Sequence, residues 1–336
     1  MGAAVVALHM IGWGTLFLLV LPDLARSGGN TAVLLGLAVS AYLLGVRHAF
    51  DADHIVAIDN ATRRLVAAGR RPVSVGFWFA LGHSTVVLVS VVLLVLGINA
   101  FAGSLTNEGS ALRQTTGVWG AAVSGVFLIL MGALNLSSLK GLRQVLRDLR
   151  SGRFVESELD GHLDNRGVVN RLLRPMSRLV DRPWKMFPIG VLFGLGLDTA
   201  ASISLFVFAG VSTPNLPWYA VLVLPVVFMA GMALFDSADG ILMNHVYQWA
   251  SVDPLRKVHY NLIVTGVSVF VAFFVGGIGL MSMLTDLAVG RGTVDLFTAG
   301  DLNFLGAILI GVFALAWLSA VLWWRFRSSP VTERHS

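Results

Sequence analysis

Residues 31–55 read TAVLLGLAVSAYLLGVRHAFDADHI, and this stretch decides the fold. Its first sixteen residues carry no charge and suit the interior of a lipid bilayer. Its last nine residues include one Arg, two His and two Asp. Each ionisable side chain costs roughly 2.5–3.5 kcal/mol at the centre of a membrane helix, so such residues are usually functional there. The stretch therefore predicts a transmembrane helix that ends in a functional polar cluster.

The composition of the whole chain is that of an integral membrane protein. Hydrophobic residues make up 56% of its 336 residues and charged residues only 13%, whereas soluble domains carry about 25% charged residues. Eight apolar segments are long enough for helices of roughly 20 residues, which predicts an all-α, polytopic membrane protein. These segments lie near residues 4–22, 31–57, 73–97, 116–139, 186–211, 217–244, 261–284 and 303–324.

The distribution of Lys and Arg predicts the orientation of these spans. Twenty of the 24 basic residues follow spans two, four, six and eight, three lie on the other side, and Arg47 lies within a span. Because cytoplasmic loops are rich in Lys and Arg, both termini are expected to face the cytoplasm. The net charge of +5 is then a topology signal rather than evidence for a nucleic-acid partner. The cytoplasmic loop at 140–185 separates four spans in residues 1–139 from four in residues 186–336.

The residues that the sequence lacks narrow the chemistry. The chain has no Cys, which excludes disulfides and thiolate metal sites. A metal site must therefore use imidazole, carboxylate, amide, hydroxyl, thioether or backbone oxygen. The sequence contains neither the phosphate-binding pattern GxxxxGK[ST] nor the metalloprotease pattern HExxH, and no Glu lies in any span. We therefore expect neither an enzyme nor a chain that binds nucleotide.

The polar cluster at the end of span two has the residue types of a metal site. On an unbroken helix His48, Asp51 and His54 share one face, whereas Asp53 points away and joins them only if the helix unwinds. An ion pair between Arg47 and Asp51, four residues apart, is the structural alternative. The spans hold an excess of carboxylates over this one Arg, so a metal ion or protons must balance their charge.

Three further apolar stretches carry polar residues of the same kind. His83 is followed by two hydroxyls, and glycines stand close to the buried aspartates. Glycine next to a buried carboxylate permits close helix approach or a broken helix. Ordinary hydrogen-bonded packing is the alternative for each residue. The candidates are His83, Ser84 and Thr85 in span three, Asp198, Thr199 and Ser202 in span five, and Asp236 and Asp239 in span six.

Four motifs, in this order, resemble the signatures of the nickel/cobalt transporter family of single-component secondary permeases. The first, RHAFDADHI at 47–55, matches the family hallmark of a His separated by four residues from Asp-His. LGHSTVV at 81–87, LGLDTAASI at 195–203 and GMALFDSADG at 231–240 are similar to its other signatures. The resemblance covers nearly the whole chain.

The resemblance implies uptake of Ni²⁺ or Co²⁺ as substrate across a bacterial cytoplasmic membrane, driven by the membrane potential or an ion gradient, with no resident cofactor. Imidazole and carboxylate ligands suit these ions. Our hypothesis places His48, His54, Asp53 and Asp51 at the central metal site. His83, Asp198 and Asp236 would complete that site or line the route. Further candidates for the transport route are Arg47, Asp59, Ser84, Thr85, Thr199, Ser202 and Asp239.

The chain departs from the family pattern at two positions. Ser202 stands where the third signature often has Glu, and Ser237 stands where the fourth often has Thr. The missing carboxylate bears on ion preference, while the first motif is intact. Two other functions share the same residue types, namely export of the same metals and proton-coupled transport of another solute. The sequence does not decide the oligomeric state.

Overall fold

The structure is a computed structural model that describes residues 1–95, 118, 122–133, 135–136, 180–195, 218–250, 254–289, 311 and 315. Every regular element within these ranges is helical, as the apolar runs predict. The helices are α1 (Gly2–Arg26), α2 (Thr31–Ala49), α3 (Ala52–Ala67), α4 (Val75–Val95), α5 (Ala122–Ala133), α6 (Met186–Gly194), α7 (Trp218–Ala250) and α8 (Pro254–Val289).

Four of the described helices are long and apolar enough to cross a membrane, namely α1, α2, α4 and α7. They coincide with the first, second, third and sixth predicted spans. Shorter apolar helices occupy parts of spans four and seven, and α6 begins span five. The last predicted span, 303–324, lies outside the described residues except for two positions. The count of eight spans, the cytoplasmic termini and the division at 140–185 stay predictions.

Helix α7 lies at the centre of the described helices and packs against α1, α2, α3 and α4. Two glycines permit the closest approaches. A Cβ at Gly45 would overlap the carbonyl oxygen of Phe228, and a Cβ at Gly76 would overlap that of Asp236. Small residues at such crossings let helix backbones approach closely inside a membrane. These contacts hold α2 and α4 against the part of α7 that runs from Phe228 to Asp236.

The helix predicted over 31–57 is broken, which differs from the unbroken helix considered from the sequence. Helix α2 ends at Ala49, and Asp51 adopts an extended conformation (φ −65°, ψ 139°) before α3 begins. Asp favours helix N-termini over helix interiors because its side chain competes for backbone hydrogen bonds. Irregular backbone inside a membrane is tolerated where it is buried in protein or lines a cavity, and Asp51 is buried at 8% exposure. The break therefore marks a place where the fold has a polar interior.

Candidate metal site

Three buried histidines from three helices meet at the break. His48 is near the end of α2, His54 is in the first turn of α3, and His83 is in the middle of α4. The ring centroids of each pair lie 4.6–4.8 Å apart, and one nitrogen from each ring lies within 4.8 Å of the others. The Nε2 atoms of His48 and His83 are 2.9 Å apart. We call these three residues the imidazole cluster.

The break and a tight helix contact bring the imidazole cluster together. Because the chain turns at Phe50 and Asp51, His48 and His54 face each other from two helices instead of lying on one. His83 is placed by the packing of α6 against α4. A Cβ at Gly190 would overlap the carbonyl oxygen of Phe79 and lie 3.0 Å from the backbone nitrogen of His83. Glycine at this position thus lets α6 pack directly against the backbone of α4 at His83.

Asp51 orients His48. Its Oδ2 lies 2.7 Å from Nδ1 of His48, and its backbone N–H donates to the carbonyl oxygen of the same residue. When Nδ1–H donates to the carboxylate, Nε2 is left as the nitrogen that faces His83. A carboxylate behind a ligating histidine fixes the tautomer and raises the basicity of the ligating nitrogen. The structure thus places Asp51 behind His48.

Asp236 lies next to His54 much as Asp51 lies next to His48, but at a longer distance. Its Oδ2 is 3.4 Å from Nδ1 of His54, and its side chain is completely buried. Neither carboxylate oxygen accepts a hydrogen bond from a described residue. Asp51 and Asp236 thus each place a carboxylate oxygen close to Nδ1 of one histidine of the imidazole cluster. Two buried carboxylates therefore surround three nitrogen donors.

The Arg47–Asp51 ion pair considered from the sequence does not form. The side chain of Arg47 is exposed, and Asp51 instead contacts His48. Asp53 is half-buried in the first turn of α3, where its Oδ1 accepts a hydrogen bond of 2.9 Å from the backbone N–H of His54. This contact places Asp53 beside the imidazole cluster, on the polypeptide segment that carries His54.

The remaining candidates differ in their surroundings. The Ser84 hydroxyl donates to Sδ of Met232 at 3.9 Å, and the Thr85 hydroxyl donates to the carbonyl oxygen of Leu81 in its own helix. Both carboxylate oxygens of Asp239 are buried, and no described residue donates a hydrogen bond to them. The predictions for Asp198, Thr199 and Ser202 lie outside the described residues.

A second buried polar group lies further along α3. Asp59 is 1% exposed, and its two oxygens accept hydrogen bonds from the hydroxyl of Tyr247 in α7 and from Oγ of Ser268 in α8, the latter at 2.6 Å. We call these three residues the aspartate clamp. Next to it, Oδ1 of Asn60 accepts hydrogen bonds from Arg63 and Asn135.

Sequence reasoning identified Asp59 but missed the residues that hold it. Tyr247 and Ser268 are single polar residues in long helices, and nothing in their spacing distinguishes them. Met232 was also missed, although it lies within the fourth motif and four residues before Asp236. That spacing of four is the one signal that links Met232 to the site.

Three imidazoles and two carboxylates enclosed by apolar helices are the residue types expected in a membrane permease for divalent transition-metal ions. The comparison with protein families specifies which one. The model of the NicO family, described as high-affinity nickel-transport protein, matches residues 34–323, and the chain belongs to this family. It is therefore a transporter and not an enzyme, as the sequence predicts.

Relatives named for metal transport are similar over nearly their whole length. The nickel transporter NicT of Mycobacterium tuberculosis is 47% identical over 341 residues, which cover 99% of this chain and 91% of the relative. The high-affinity nickel-transport protein NixA of Helicobacter pylori strain 26695 is 37% identical, and the match covers 98% of this chain and 97% of the relative. The cobalt transport protein NhlF of Rhodococcus rhodochrous is 39% identical, and the match covers 95% of this chain and 90% of the relative. No solved structure gives a significant match.

Proposed function

We propose that this protein takes up Ni²⁺ or Co²⁺ across the cytoplasmic membrane of a bacterium, with the imidazole cluster as its central binding site. The observation that carries the proposal is the convergence of three buried imidazole nitrogens within 4.8 Å. Relatives named for nickel and for cobalt transport support the choice of ion.

The geometry of the imidazole cluster suits a first-row divalent ion. Metal–nitrogen bonds of about 2.0–2.1 Å place two ligands at a right angle about 3 Å apart. The Nε2 atoms of His48 and His83 are already 2.9 Å apart, so an ion can insert with small movements of the rings. Neutral imidazole and carboxylate favour Ni²⁺ and Co²⁺ over Cu⁺, which prefers sulfur. The ligand types do not separate nickel from cobalt.

The carboxylates buried at the site require a cation to balance their charge. Asp51 and Asp236 together supply two negative charges when ionised, and Arg47 is exposed and does not neutralise them. Two buried carboxylates are costly without a counter-charge, and a divalent ion provides it. Asp53, at the start of α3, is the further oxygen ligand in this proposal. Uptake down the membrane potential supplies about 4.6 kcal/mol per 100 mV for a doubly charged ion, which is enough to drive accumulation.

The route away from the site follows α7 and α3. Asp239 is three residues beyond Asp236, so its carboxylate lies about one turn further along the same side of α7. The basic residues Arg70 and Arg71, which follow α3, mark this end as the cytoplasmic side. We therefore assign Asp239 to the exit, whereas Asp59, a route candidate from the sequence, is already satisfied by two hydroxyl donors and supports the helices around that exit. The remaining candidates for the route are Arg47, Ser84, Thr85, Asp198, Thr199 and Ser202.

The test replaces each histidine of the cluster by alanine and compares it with a histidine elsewhere. We expect His48→Ala, His54→Ala and His83→Ala to abolish high-affinity nickel binding, measured by isothermal titration calorimetry on purified protein. His245→Ala is the control, because His245 is exposed in α7 and its Nδ1 bonds to the carbonyl oxygen of Ile241 in the same helix.

The same variants are then assayed for ⁶³Ni²⁺ uptake in vesicles of defined orientation. Uptake toward the face with the basic loops supports import, and accumulation on the opposite face shows an exporter. Unchanged nickel affinity in all three alanine variants would exclude the imidazole cluster as the binding site.

A further inference from the structure

One stripe of α7 faces the imidazole cluster. Phe228, Met232 and Asp236 are spaced by four residues and so share one side of the helix. The ring of Phe228 lies 6.1 Å from that of His48, and Asp236 contacts His54 at 3.4 Å. Met232 lies one turn from each of them. The stripe therefore places Met232 at the level of the imidazole cluster, between the residues that lie against two of its rings.

The sulfur of Met232 is held on the His83 side of this stripe. Met232 is 0% exposed, and its Sδ lies 3.9 Å from Oγ of Ser84, which is also 0% exposed and directly follows His83. A thioether sulfur is a weak acceptor with two lone pairs, so the Ser84 hydroxyl can orient it while a second lone pair remains. Hydroxyl and helix together thus restrict where the sulfur points.

We propose that Met232 supplies a thioether ligand to the transported ion and that this ligand discriminates against Mg²⁺ and Ca²⁺. The inference rests on the proposed function, because it adds a fourth donor to the imidazole cluster. Thioether sulfur is soft and binds late first-row ions, whereas Mg²⁺ and Ca²⁺ require oxygen ligands. A site of imidazole and carboxylate alone discriminates less strongly between late first-row ions and Mg²⁺ or Ca²⁺. Flexible packing of the core is the ordinary role of a buried methionine, and the experiment must distinguish the two roles.

The composition of the chain makes sulfur ligation directly testable. With no Cys and ten Met, any sulfur bound to nickel must come from a methionine. The experiment is nickel K-edge X-ray absorption of the purified full-length protein loaded with one equivalent of Ni²⁺. The variants are Met232→Leu and, as the control, Met243→Leu. Leucine nearly conserves the volume of methionine. Met243 is buried in the same helix, eleven residues or about 16 Å further on.

We expect a shell of nitrogen and oxygen scatterers together with one sulfur in the wild type and in Met243→Leu, and loss of the sulfur alone in Met232→Leu. A wild-type spectrum without sulfur overturns the role of Met232 and leaves the proposed function intact. A wild-type protein that binds no nickel overturns both. Thermal unfolding of the apo protein checks that Met232→Leu is folded.

Ion competition tests the consequence for selectivity. Nickel affinity should fall at least about tenfold in Met232→Leu, since even the outer partners of metal ligands are worth roughly 10–100-fold. The concentration of Mg²⁺ that halves ⁶³Ni²⁺ uptake should fall in this variant and stay unchanged in Met243→Leu. Equal inhibition of both variants by Mg²⁺ would show that Met232 only fills space.

Discussion

Two buried polar groups around α3 differ in how their carboxylates are satisfied. At the imidazole cluster, Asp236 has a histidine nitrogen at 3.4 Å and accepts no hydrogen bond from a described residue. At the aspartate clamp, five residues beyond His54 along α3, both oxygens of Asp59 accept hydrogen bonds from hydroxyl groups. Both side chains are almost completely buried.

The difference teaches how one residue type serves two purposes in the same membrane protein. Hydroxyl donors from α7 and α8 satisfy Asp59 within the fold, so its carboxylate joins three helices. Asp236 has no such donor among the described residues, so the free energy of its burial is offset only when a cation or proton is present. A carboxylate that the fold leaves incompletely satisfied is available to a substrate ion.

The largest expected difference between the two regions appears when each carboxylate is exchanged for its amide. Asp236→Asn should weaken nickel binding roughly 100-fold, at the upper end of the range for partners of ligating histidines, because it also removes one of two buried negative charges. Asp59→Asn should leave the nickel dissociation constant unchanged and lower the thermal stability, since Tyr247 and Ser268 then face an amide. Isothermal titration calorimetry and thermal unfolding in detergent measure the two effects. A loss of affinity in Asp59→Asn equal to that in Asp236→Asn would remove the distinction between the two regions.

A smaller effect should follow from widening the α4–α6 contact that positions His83. Gly190→Ala places a methyl group against the backbone of Phe79 and His83, so it should cost about 1–3 kcal/mol of stability. It should also weaken nickel binding, because His83 moves relative to the other rings. Gly36→Ala is the matched control, since a Cβ there meets no atom within 4 Å and alanine favours a helix. Nickel affinity that survives Gly190→Ala would mean that the α4–α6 contact does not determine the position of His83 at the site.

The residues around the imidazole cluster show which features the sequence can predict and which it cannot. The apolar runs and the polar residues in RHAFDADHI are local features. The runs predicted the helices, and the motif named His48, Asp51, Asp53 and His54 as candidates, which the structure places close together. The break at Asp51 was not predicted, because the contact of Asp51 with His48, three residues earlier, is equally possible on an unbroken helix and so does not signal a break.

The position of His83 beside the other two rings depends on packing between distant parts of the chain. A Cβ at Gly82 in α4 would overlap the carbonyl oxygen of Phe187 in α6, and a Cβ at Gly190 in α6 would overlap that of Phe79 in α4. The two glycines thus let the two helices approach each other from both sides. Spacing along the sequence does not reveal such a contact, so the motif around His83 predicted a candidate ligand but not its partners.

The smallest effect should come from removing single hydroxyls of the aspartate clamp. Tyr247→Phe and Ser268→Ala each delete one donor to Asp59 and should each cost about 1 kcal/mol of stability. Nickel affinity should not change in either variant. Each hydroxyl donates to Asp59, so the hydrogen bond is lost from the aspartate clamp and not from the imidazole cluster. Ser268→Thr keeps the hydroxyl and should restore much of the lost stability. The measurement is thermal unfolding of the apo protein together with calorimetric titration of nickel. If either deletion weakened nickel binding as strongly as Asp236→Asn, the clamp would belong to the binding site, and the two regions would form one functional unit.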